Sequence, residues 1–274
     1  MSEAIYQRPA DYDLEHDGDD RDVRFYRRLV HRLGAARILE LACGSGRVTL
    51  PLAACLPPDG RIVGVELADE MLADARRKRD DAPPEVRARV HLEQGDMCRW
   101  RSDERFDLVL VACSSITHLQ TIDDQLALWE TAGTQLVPGG RFVIDVTLPD
   151  FGAFAESLRT PPRALTEIDL DQTEPETGER LIRQRTTRFD AIDQRADIQF
   201  LYDRFHAGRH VERYVSDFTS HVYFPRELQL LYRLAGFTLE TMWADYTFEP
   251  PAAGTREVVL SGRRPGAAVT GSAG

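Results

Sequence analysis

Residues 38–47, which read Ile-Leu-Glu-Leu-Ala-Cys-Gly-Ser-Gly-Arg, decide the fold of this 274-residue chain. The apolar start of this stretch predicts a buried strand that runs into a glycine turn, and residues 48–55 are predicted to form a helix. Because glycine has no side chain, a strand, a tight turn and a helix in this order bring backbone very close to a ligand. An ordinary glycine-rich βα turn is the alternative for this stretch taken alone.

Three more apolar segments follow, and each is predicted as a strand. They span residues 61–67, 90–93 and 106–112. Glu66 lies at the end of the first, about 20 residues after the glycines, where an acid can accept hydrogen bonds from ribose hydroxyls. Asp96 follows the second strand, and Glu40 lies in the opening stretch. A single surface acid is usually just solvated, but three acids on successive strand ends indicate a ligand site.

The pattern acid-x-Ala-x-Gly-x-Gly, together with the later acids, resembles the cofactor loop of class I methyltransferases that use S-adenosylmethionine. The resemblance covers about residues 36–150 by motif and 225–263 by pattern only. It implies an α/β fold, a Rossmann-like seven-stranded class I methyltransferase sheet with an inserted antiparallel β roof. A nicotinamide dehydrogenase is the main rival. Its fingerprint needs a third small residue where Thr49 stands, and it gives no role to Asp96 and Met97.

The alternation of strands and helices predicts five segments along the chain. They are an N-terminal lid and entry helix (1–35), a cofactor-binding core (36–150), an antiparallel substrate roof (151–222), a closing helix and β-hairpin (223–263), and a disordered tail (264–274). Strand-like alternation at 163–171, 180–189, 196–205 and 210–222 carries the prediction of the roof. In this family the corresponding region usually covers the substrate.

The resemblance implies a set of cofactor-binding residues along the C-terminal rim of the sheet, where open parallel sheets bind ligands. They are Tyr12, Glu40, Ala42, Gly44, Gly46, Arg47, Glu66, Leu67, Met71, Asp96, Met97, Ala112 and Cys113. Glu66 would hold the ribose, and Asp96 would face the adenine amine. Leu67 and Met97 would sandwich the adenine ring. At the methionine end of the cofactor, Glu40 would neighbour the amino group through the loop. The backbone at Ala112 or Cys113 would hold this amino acid end.

Methyl transfer is an in-line displacement at an activated carbon, so the main task of the enzyme is to align the acceptor and exclude water. His118, a few residues beyond the fourth strand, is the best candidate for a general base; a loop histidine that packs or caps the next helix is the alternative. Tyr202, Tyr214 and His221 are candidate substrate-binding residues, although packing explains each of them as well. Arg183, Arg185 and Arg188 on the roof could bind a substrate carboxylate or phosphate, and a solvated strand face is the alternative for them.

Composition limits the partners and the location of the protein. With 34 Lys and Arg against 45 Asp and Glu the formal net charge is −11, which disfavours nucleic acid as a substrate. The four cysteines have no CxxC spacing and no histidine partners, so no metal site is expected. The polar, acidic residues 1–20 do not resemble a signal peptide, and there is no apolar run of about 18 residues. A cytoplasmic monomer or homodimer without membrane attachment is expected.

The expected activity is methyl transfer from S-adenosylmethionine, with S-adenosylhomocysteine as product, to a nitrogen or oxygen of a small molecule of secondary metabolism. Methylation of a peptide amino terminus during natural-product maturation is one alternative. A non-catalytic protein that binds S-adenosylmethionine or S-adenosylhomocysteine is another. The acceptor itself is not encoded in any motif.

Overall fold

The computed structural model describes residues 4–160, 163–174 and 177–266. In chain order its strands are β1 (Arg37–Leu41), β2 (Arg61–Glu66), β3 (Val90–Gln94), β4 (Phe106–Val111), β5 (Leu136–Thr147), β6 (Leu165–Thr173), β7 (Arg180–Asp190), β8 (Arg195–His206), β9 (Arg209–His221), β10 (Thr238–Ala244) and β11 (Glu257–Arg263). Seven of them form one sheet in the order β10-β11-β5-β4-β1-β2-β3, and β6 to β9 form a separate four-stranded sheet.

The seven-stranded sheet is parallel from β3 to β5 and ends in an antiparallel hairpin. β11 pairs antiparallel with both β5 and β10, and it lies between them. Dinucleotide-binding dehydrogenases instead build an open sheet in the order 3-2-1-4-5-6. The hairpin confirms the seven-stranded sheet predicted from the sequence and argues against the dehydrogenase alternative.

Helices cover both faces of the seven-stranded sheet. The helices are α1 (Pro9–Glu15), α2 (Arg21–Leu33), α3 (Thr49–Ala53), α4 (Asp69–Asp81), α5 (Pro84–Arg87), α6 (Ile122–Gln135), α7 (Phe151–Ser157) and α8 (Pro225–Leu234), with 3₁₀ turns at Ala4–Gln7 and Ser115–His118. Of these, α1 and α7 contact the four-stranded sheet. The apolar periodicity of the sequence predicts helices at residues 19–33, 69–79, 122–136 and 225–235, and α2, α4, α6 and α8 agree with these bounds to within two residues. The sequence predicted too long a helix after the glycine turn, since residues 44–48 stay in the turn and only 49–53 form α3.

Two hydrophobic clusters lie on opposite faces of the sheet. One packs α6 and α8 against the sheet around the fully buried Trp129, Phe142 and Tyr232. The other packs α2, α3 and α4 around residues such as Phe25 and Leu52. The central strands are apolar on both faces because helices cover both faces, which is characteristic of parallel sheets.

The four-stranded sheet is the antiparallel roof that the sequence predicted. Its strands run in simple order, and their bounds lie within two residues of the predicted ones. The sequence predicts turns at residues 190–194 and 207–208, and the observed turns at 191–194 and 207–208 join β7 to β8 and β8 to β9. The side chains on one face of β7, β8 and β9 contact the N-terminal segment, so this face lies toward the lid.

The first residue of the predicted disordered tail, Arg264, is held by hydrogen bonds to the core. Arg263 belongs to β11, and the backbone of Arg264 exchanges hydrogen bonds with Gly139 and Gly140 at 3.0 and 2.8 Å. Residues 267–274 of the predicted tail lie outside the described residues. In the part of the chain that the structure describes, no helix is long and apolar enough to cross a membrane.

Candidate active site

The turn after β1 adopts left-handed backbone at three positions. The φ angles of Ala42, Gly44 and Gly46 are +59°, +56° and +79°. Glycine adopts this region without cost, whereas a side chain at Cβ makes it unfavourable. A Cβ atom on Gly44 would lie 3.5 Å from the Cε atom of Met71, which is fully buried beneath the turn. The turn therefore needs its glycines for backbone conformation as well as for access to a ligand.

Ala42 carries strain that a glycine would relieve. Because its φ is +59°, we expect Ala42→Gly to raise the free energy of unfolding by about 0.5–1 kcal/mol, after the extra entropy of the unfolded chain is counted. Thermal denaturation of the two proteins measures this difference. Ala35→Gly, at a buried position with ordinary φ, should lower stability instead. A loss of stability in Ala42→Gly would contradict the strain at this position.

Glu66 organises the rim of the site. Its Oε2 accepts a hydrogen bond from the Gly44 N–H at 2.8 Å, and its Oε1 accepts from the N–H groups of Leu67 and Ala68 at 2.9 and 2.8 Å. One carboxylate thus joins the glycine turn to the end of β2. Each carboxylate oxygen has two lone pairs, so capacity remains for a ligand hydroxyl on the Oε2 side.

The candidate adenine end lies at the tips of β2 and β3. The Gly95 N–H donates to the Glu66 carbonyl at 3.0 Å, which brings the two strand ends together. Asp96 Oδ1 accepts from the Cys98 N–H at 2.8 Å, and the other oxygen stays at the partly exposed surface. The side chain of Leu67 is 66% exposed, while Met97 packs partly into the core. An exposed apolar side chain beside two carboxylates suits a ligand with a flat ring and polar edges.

Glu40 lies beneath the turn and not at the open rim. It is 1% exposed, and its Oε2 accepts a hydrogen bond from Thr49 Oγ1 at 2.5 Å. Burial raises the pKa of Glu40 to about 8, so the carboxyl group is largely protonated at pH 7. Any effect of Glu40 on a ligand amino group would pass through the backbone of the turn.

Arg47 joins the glycine turn to α2 and to the end of β4. Its guanidinium group donates to both carboxylate oxygens of Asp22, at 3.1 Å for Nη1, and its Nη2 lies 2.7 Å from Cys113 Sγ. Asp22 is itself buried. The structure thus brings Arg47 and Cys113 together as neighbours in the floor of the site, with Asp22 as a partner that the sequence analysis did not single out.

Asp145 of β5 is a second residue that the sequence analysis missed. Its carboxylate is fully buried and accepts the N–H groups of Cys113 and Ser114 at 3.0 and 2.6 Å, together with the Tyr26 hydroxyl. Burial raises the pKa of Asp145 to about 6. The available signal was a lone acid within the otherwise apolar run 142–146, at a position where both faces of the strand are covered.

The helix α1 connects the core to the roof through three acids. Asp13, on one side of the helix, accepts from Ser45 Oγ at 2.6 Å and pairs with Lys78 of α4. Asp11 and Glu15, four residues apart on the opposite side, contact the roof. The partners of Asp11 are Arg204 at 2.6 Å and Tyr214 Oη at 2.8 Å, and Glu15 pairs with Arg183 at 2.9 Å. The lid therefore lies directly on the glycine turn.

A row of aromatic rings runs between the lid and the roof. Neighbouring ring centroids lie 4.5–6.1 Å apart along the series His16, Tyr12, Tyr6, His118, Phe218, Phe200, Tyr202 and Tyr214. Tyr6 Oη and His118 Nε2 are 2.7 Å apart. Burial lowers the pKa of His118 and raises the pKa of Tyr12, so both are neutral at pH 7.

The three candidate substrate residues of the roof occupy different environments. Tyr202 is fully buried and stacks on Tyr214 at 4.5 Å, within the aromatic row. His221 is buried at the far end of β9, where its Nε2 lies 3.0 Å from Glu227 Oε1 of α8. Arg183 is engaged by Asp169 and Glu15. The structure thus groups Tyr202 and Tyr214 near the lid and places His221 apart from them.

The cysteines form no disulfide, and Cys43 and Cys98 are buried. Across the described ranges no group of three or more His, Cys, Asp or Glu side chains is arranged to hold a metal ion. The features gathered at the rim are a left-handed glycine turn, two carboxylates and an apolar flank. This donor set fits a cofactor that carries a ribose, an adenine and an amino acid end.

Comparison with known proteins finds similarity to methyltransferases. Residues 38–140 match the family described as a methyltransferase domain. The chain is 33% identical over 142 residues to a dTDP-3-amino-3,6-dideoxy-alpha-D-glucopyranose N,N-dimethyltransferase of Streptomyces fradiae, a match that spans 49% of this chain and 51% of that protein. It is 24% identical over 239 residues to the cypemycin N-terminal methyltransferase of a Streptomyces species, which covers 84% of both chains.

A solved structure with the same fold is that of the CcbJ methyltransferase from Streptomyces caelestis. It superimposes with a TM-score of 0.72 at 24% identity and covers 90% of this chain and 97% of that one. The match includes the roof as well as the core, because it extends over most of both chains. Residues 38–140 therefore carry a methyltransferase domain, and the chain has the fold of the class I S-adenosylmethionine-dependent methyltransferases.

Proposed function

We propose that this protein transfers a methyl group from S-adenosylmethionine to an amine nitrogen of a small molecule of secondary metabolism. The observation that carries the proposal is the position of His118, which lies between Tyr6 and Phe218 where the end of β4 meets the lid and the roof. The names of the relatives support the same chemistry, since they include a sugar-amine dimethyltransferase and a peptide N-terminal methyltransferase.

The chemistry divides between the cofactor and the residues of this chain. S-Adenosylmethionine, when bound, supplies a methyl carbon that its sulfonium group has already activated. Glu66, Asp96 and the glycine turn would hold the cofactor, and the lid and roof would exclude water. Orientation of the acceptor alone can lower the activation barrier by roughly 7–11 kcal/mol. The aromatic rings suit an acceptor that carries or develops positive charge, because a cation is attracted to the face of an aromatic ring.

His118 would receive the proton that the amine loses. A neutral imidazole at pH 7 can accept this proton, and the Tyr6 hydroxyl 2.7 Å from Nε2 would orient the ring. A general base of this kind raises the rate about 10²–10⁴-fold. It does so only if the amine arrives protonated or loses its proton during transfer.

Two other functions make distinct predictions. An oxygen acceptor would require deprotonation of a hydroxyl group and would make turnover depend on His118 throughout. A sensor that binds S-adenosylhomocysteine without catalysis would need the rim but not the aromatic row. A peptide amino terminus is the variant acceptor within the same amine chemistry.

A ligand-binding experiment followed by a turnover assay tests the proposal. S-Adenosylhomocysteine at 100 times its Kd should stabilise the protein by about 2.7 kcal/mol. This corresponds to roughly 5–10 °C in Tm for a chain of this size, and NAD should give no shift. Aminodeoxy sugar nucleotides, a peptide with a free amino terminus and hydroxyl analogues of each are then assayed for methylation. Methylation of the hydroxyl analogues alone, or binding without turnover on any amine, would reject the proposed function.

A further inference from the structure

The chain leaves β4 through two consecutive residues in left-handed conformation. Cys113 and Ser114 both have φ of +55°, and neither is glycine. Such a conformation costs of order 1–3 kcal/mol per residue and persists only where its surroundings hold it. The turn is therefore held by specific contacts.

Asp145 supplies these contacts. Its Oδ2 accepts the Cys113 N–H at 3.0 Å, and its Oδ1 accepts the Ser114 N–H at 2.6 Å. The Tyr26 hydroxyl of α2 also donates to Oδ2 of this carboxylate. Ser114 Oγ in turn accepts the Thr147 N–H at 3.0 Å, so β5 holds the turn at two points.

A carboxylate at this depth is costly to the fold. Asp145 is fully buried, and its neighbours Val143, Ile144 and Val146 are apolar and buried. An apolar residue would avoid the cost of desolvating a charge, but it would leave two backbone N–H groups without an acceptor. Asp145 binds the two N–H groups through separate oxygens, whereas asparagine would present its NH₂ group to one of them.

The turn sets the position of the residues that face the methyl-transfer site. Ser115 donates from its N–H and its hydroxyl to the Ala112 carbonyl at 3.1 and 2.7 Å, which starts the 3₁₀ turn that ends at His118. Cys113 Sγ lies against Arg47 on the other side. A shift of the Cys113–Ser114 backbone would therefore move both the wall of the cofactor site and the imidazole.

We propose that Asp145 is a positioning residue for methyl transfer, which acts by clamping the Cys113–Ser114 turn in its left-handed conformation. The role at the chemical step rests on the proposed function; the role in shaping the cofactor site does not. Asp145 contacts neither substrate nor cofactor in this scheme. It works through the backbone that it binds.

Asp145→Asn tests the clamp against Val143→Ala. Val143 is also fully buried and lies two residues earlier on the same strand, and its aliphatic side chain cannot accept a hydrogen bond from the turn, so it controls for lost stability. We expect Asp145→Asn to lower kcat at least tenfold and to weaken S-adenosylhomocysteine binding at least fivefold by calorimetry. Val143→Ala should leave kcat and this affinity within twofold, and KM for the acceptor should change little in either variant.

Two further measurements keep the test decisive. Hydrogen exchange of the Cys113 and Ser114 amides, without ligand, should be at least tenfold faster in Asp145→Asn than in Val143→Ala. The double variant Asp145→Asn/Ser114→Gly should recover part of the lost stability and affinity, because glycine adopts positive φ at no cost. If Asp145→Asn alone fails to fold, the affinity and exchange measurements can be made on this double variant instead.

The outcomes separate the clamp from the proposed function. Equal behaviour of Asp145→Asn and Val143→Ala in affinity and exchange would reduce Asp145 to a core residue and overturn the inference. If the wild type binds S-adenosylhomocysteine but methylates no amine, the proposed function fails. The affinity and exchange measurements would still decide the clamp.

Discussion

Replacement of His118 by alanine is expected to lower kcat for amine methylation roughly 10²–10⁴-fold, while affinity for S-adenosylhomocysteine stays within twofold. The imidazole lies in the aromatic row between the lid and the roof, and its loss removes a proton acceptor without touching the cofactor rim. Steady-state kinetics and calorimetry on the same preparations measure the two effects. His91→Ala, at an exposed histidine on β3, is the matched control and should change neither.

The pH dependence gives an independent test of His118. Burial lowers the pKa of His118 below its usual value near 6.5, so the neutral form predominates at pH 7. Turnover of the wild type should therefore be full at pH 7 and fall only as the pH drops below that lowered pKa. The contribution of His118 to the free energy of unfolding should also fall as the pH drops below the ordinary pKa. The reason is that the unfolded chain, in which this pKa is not lowered, binds the proton more readily than the folded chain.

Two results would change the assignment of His118. A His118→Ala enzyme with full turnover and an unchanged pH profile would remove the residue from catalysis and leave Tyr202 and Tyr214 as the next side chains to test. A loss of tenfold or less would mean that the amine arrives neutral and that alignment supplies the rate.

The second large effect is expected at Glu66. Glu66→Ala should weaken S-adenosylhomocysteine binding by about 1.5–3 kcal/mol, or roughly 10–150-fold, which is the usual size for hydrogen bonds to a charged acceptor. The structure adds a second consequence. Three backbone N–H groups lose their acceptor, so the free energy of unfolding should fall as well. Calorimetry and chemical denaturation separate the two losses.

Variants around Glu66 distinguish the ligand from the turn. Glu66→Gln keeps one accepting oxygen, so it should lose less affinity for S-adenosylhomocysteine and less stability than Glu66→Ala. Glu70→Gln, four residues further along and exposed, removes the same charge and should change neither. Gly44→Val should do more harm than Glu66→Ala, because valine at φ +56° is strained even before a ligand is present. Unchanged affinity in both Glu66→Ala and Gly44→Val would make the loop a purely structural turn.

Features with a local physical cause could be predicted from the sequence. The strand Arg37–Leu41, the glycine turn after it and the acid at the end of β2 all follow from apolar runs and from the conformational freedom of glycine. The four roof strands follow from alternation, since each presents one face to the lid. The chain order of these elements also predicts where a cofactor would bind, because the C-terminal ends of parallel strands meet at one edge.

Some local signals were too weak to predict. The helices α1, α5 and α7 span only seven, four and seven residues, which is too short for a helical period to stand out. The conformation of Ala42 was also hidden, because alanine is rarely left-handed and adopts this backbone only where a tight turn imposes it.

The class I sheet, the antiparallel roof and the glycine turn follow from the sequence alone, because each depends on neighbours along the chain. Which polar groups face each other depends on how the elements pack. Asp145 meets Cys113 across 32 residues, and Asp11 meets Arg204 across 193. The Glu40 side chain points inward to Thr49 and not toward the open rim where a ligand would lie. Desolvation in this buried position raises the pKa of Glu40. Partners so far apart in the chain leave no periodic signal, because burial and hydrogen bonding pair them only after the strands and helices have packed.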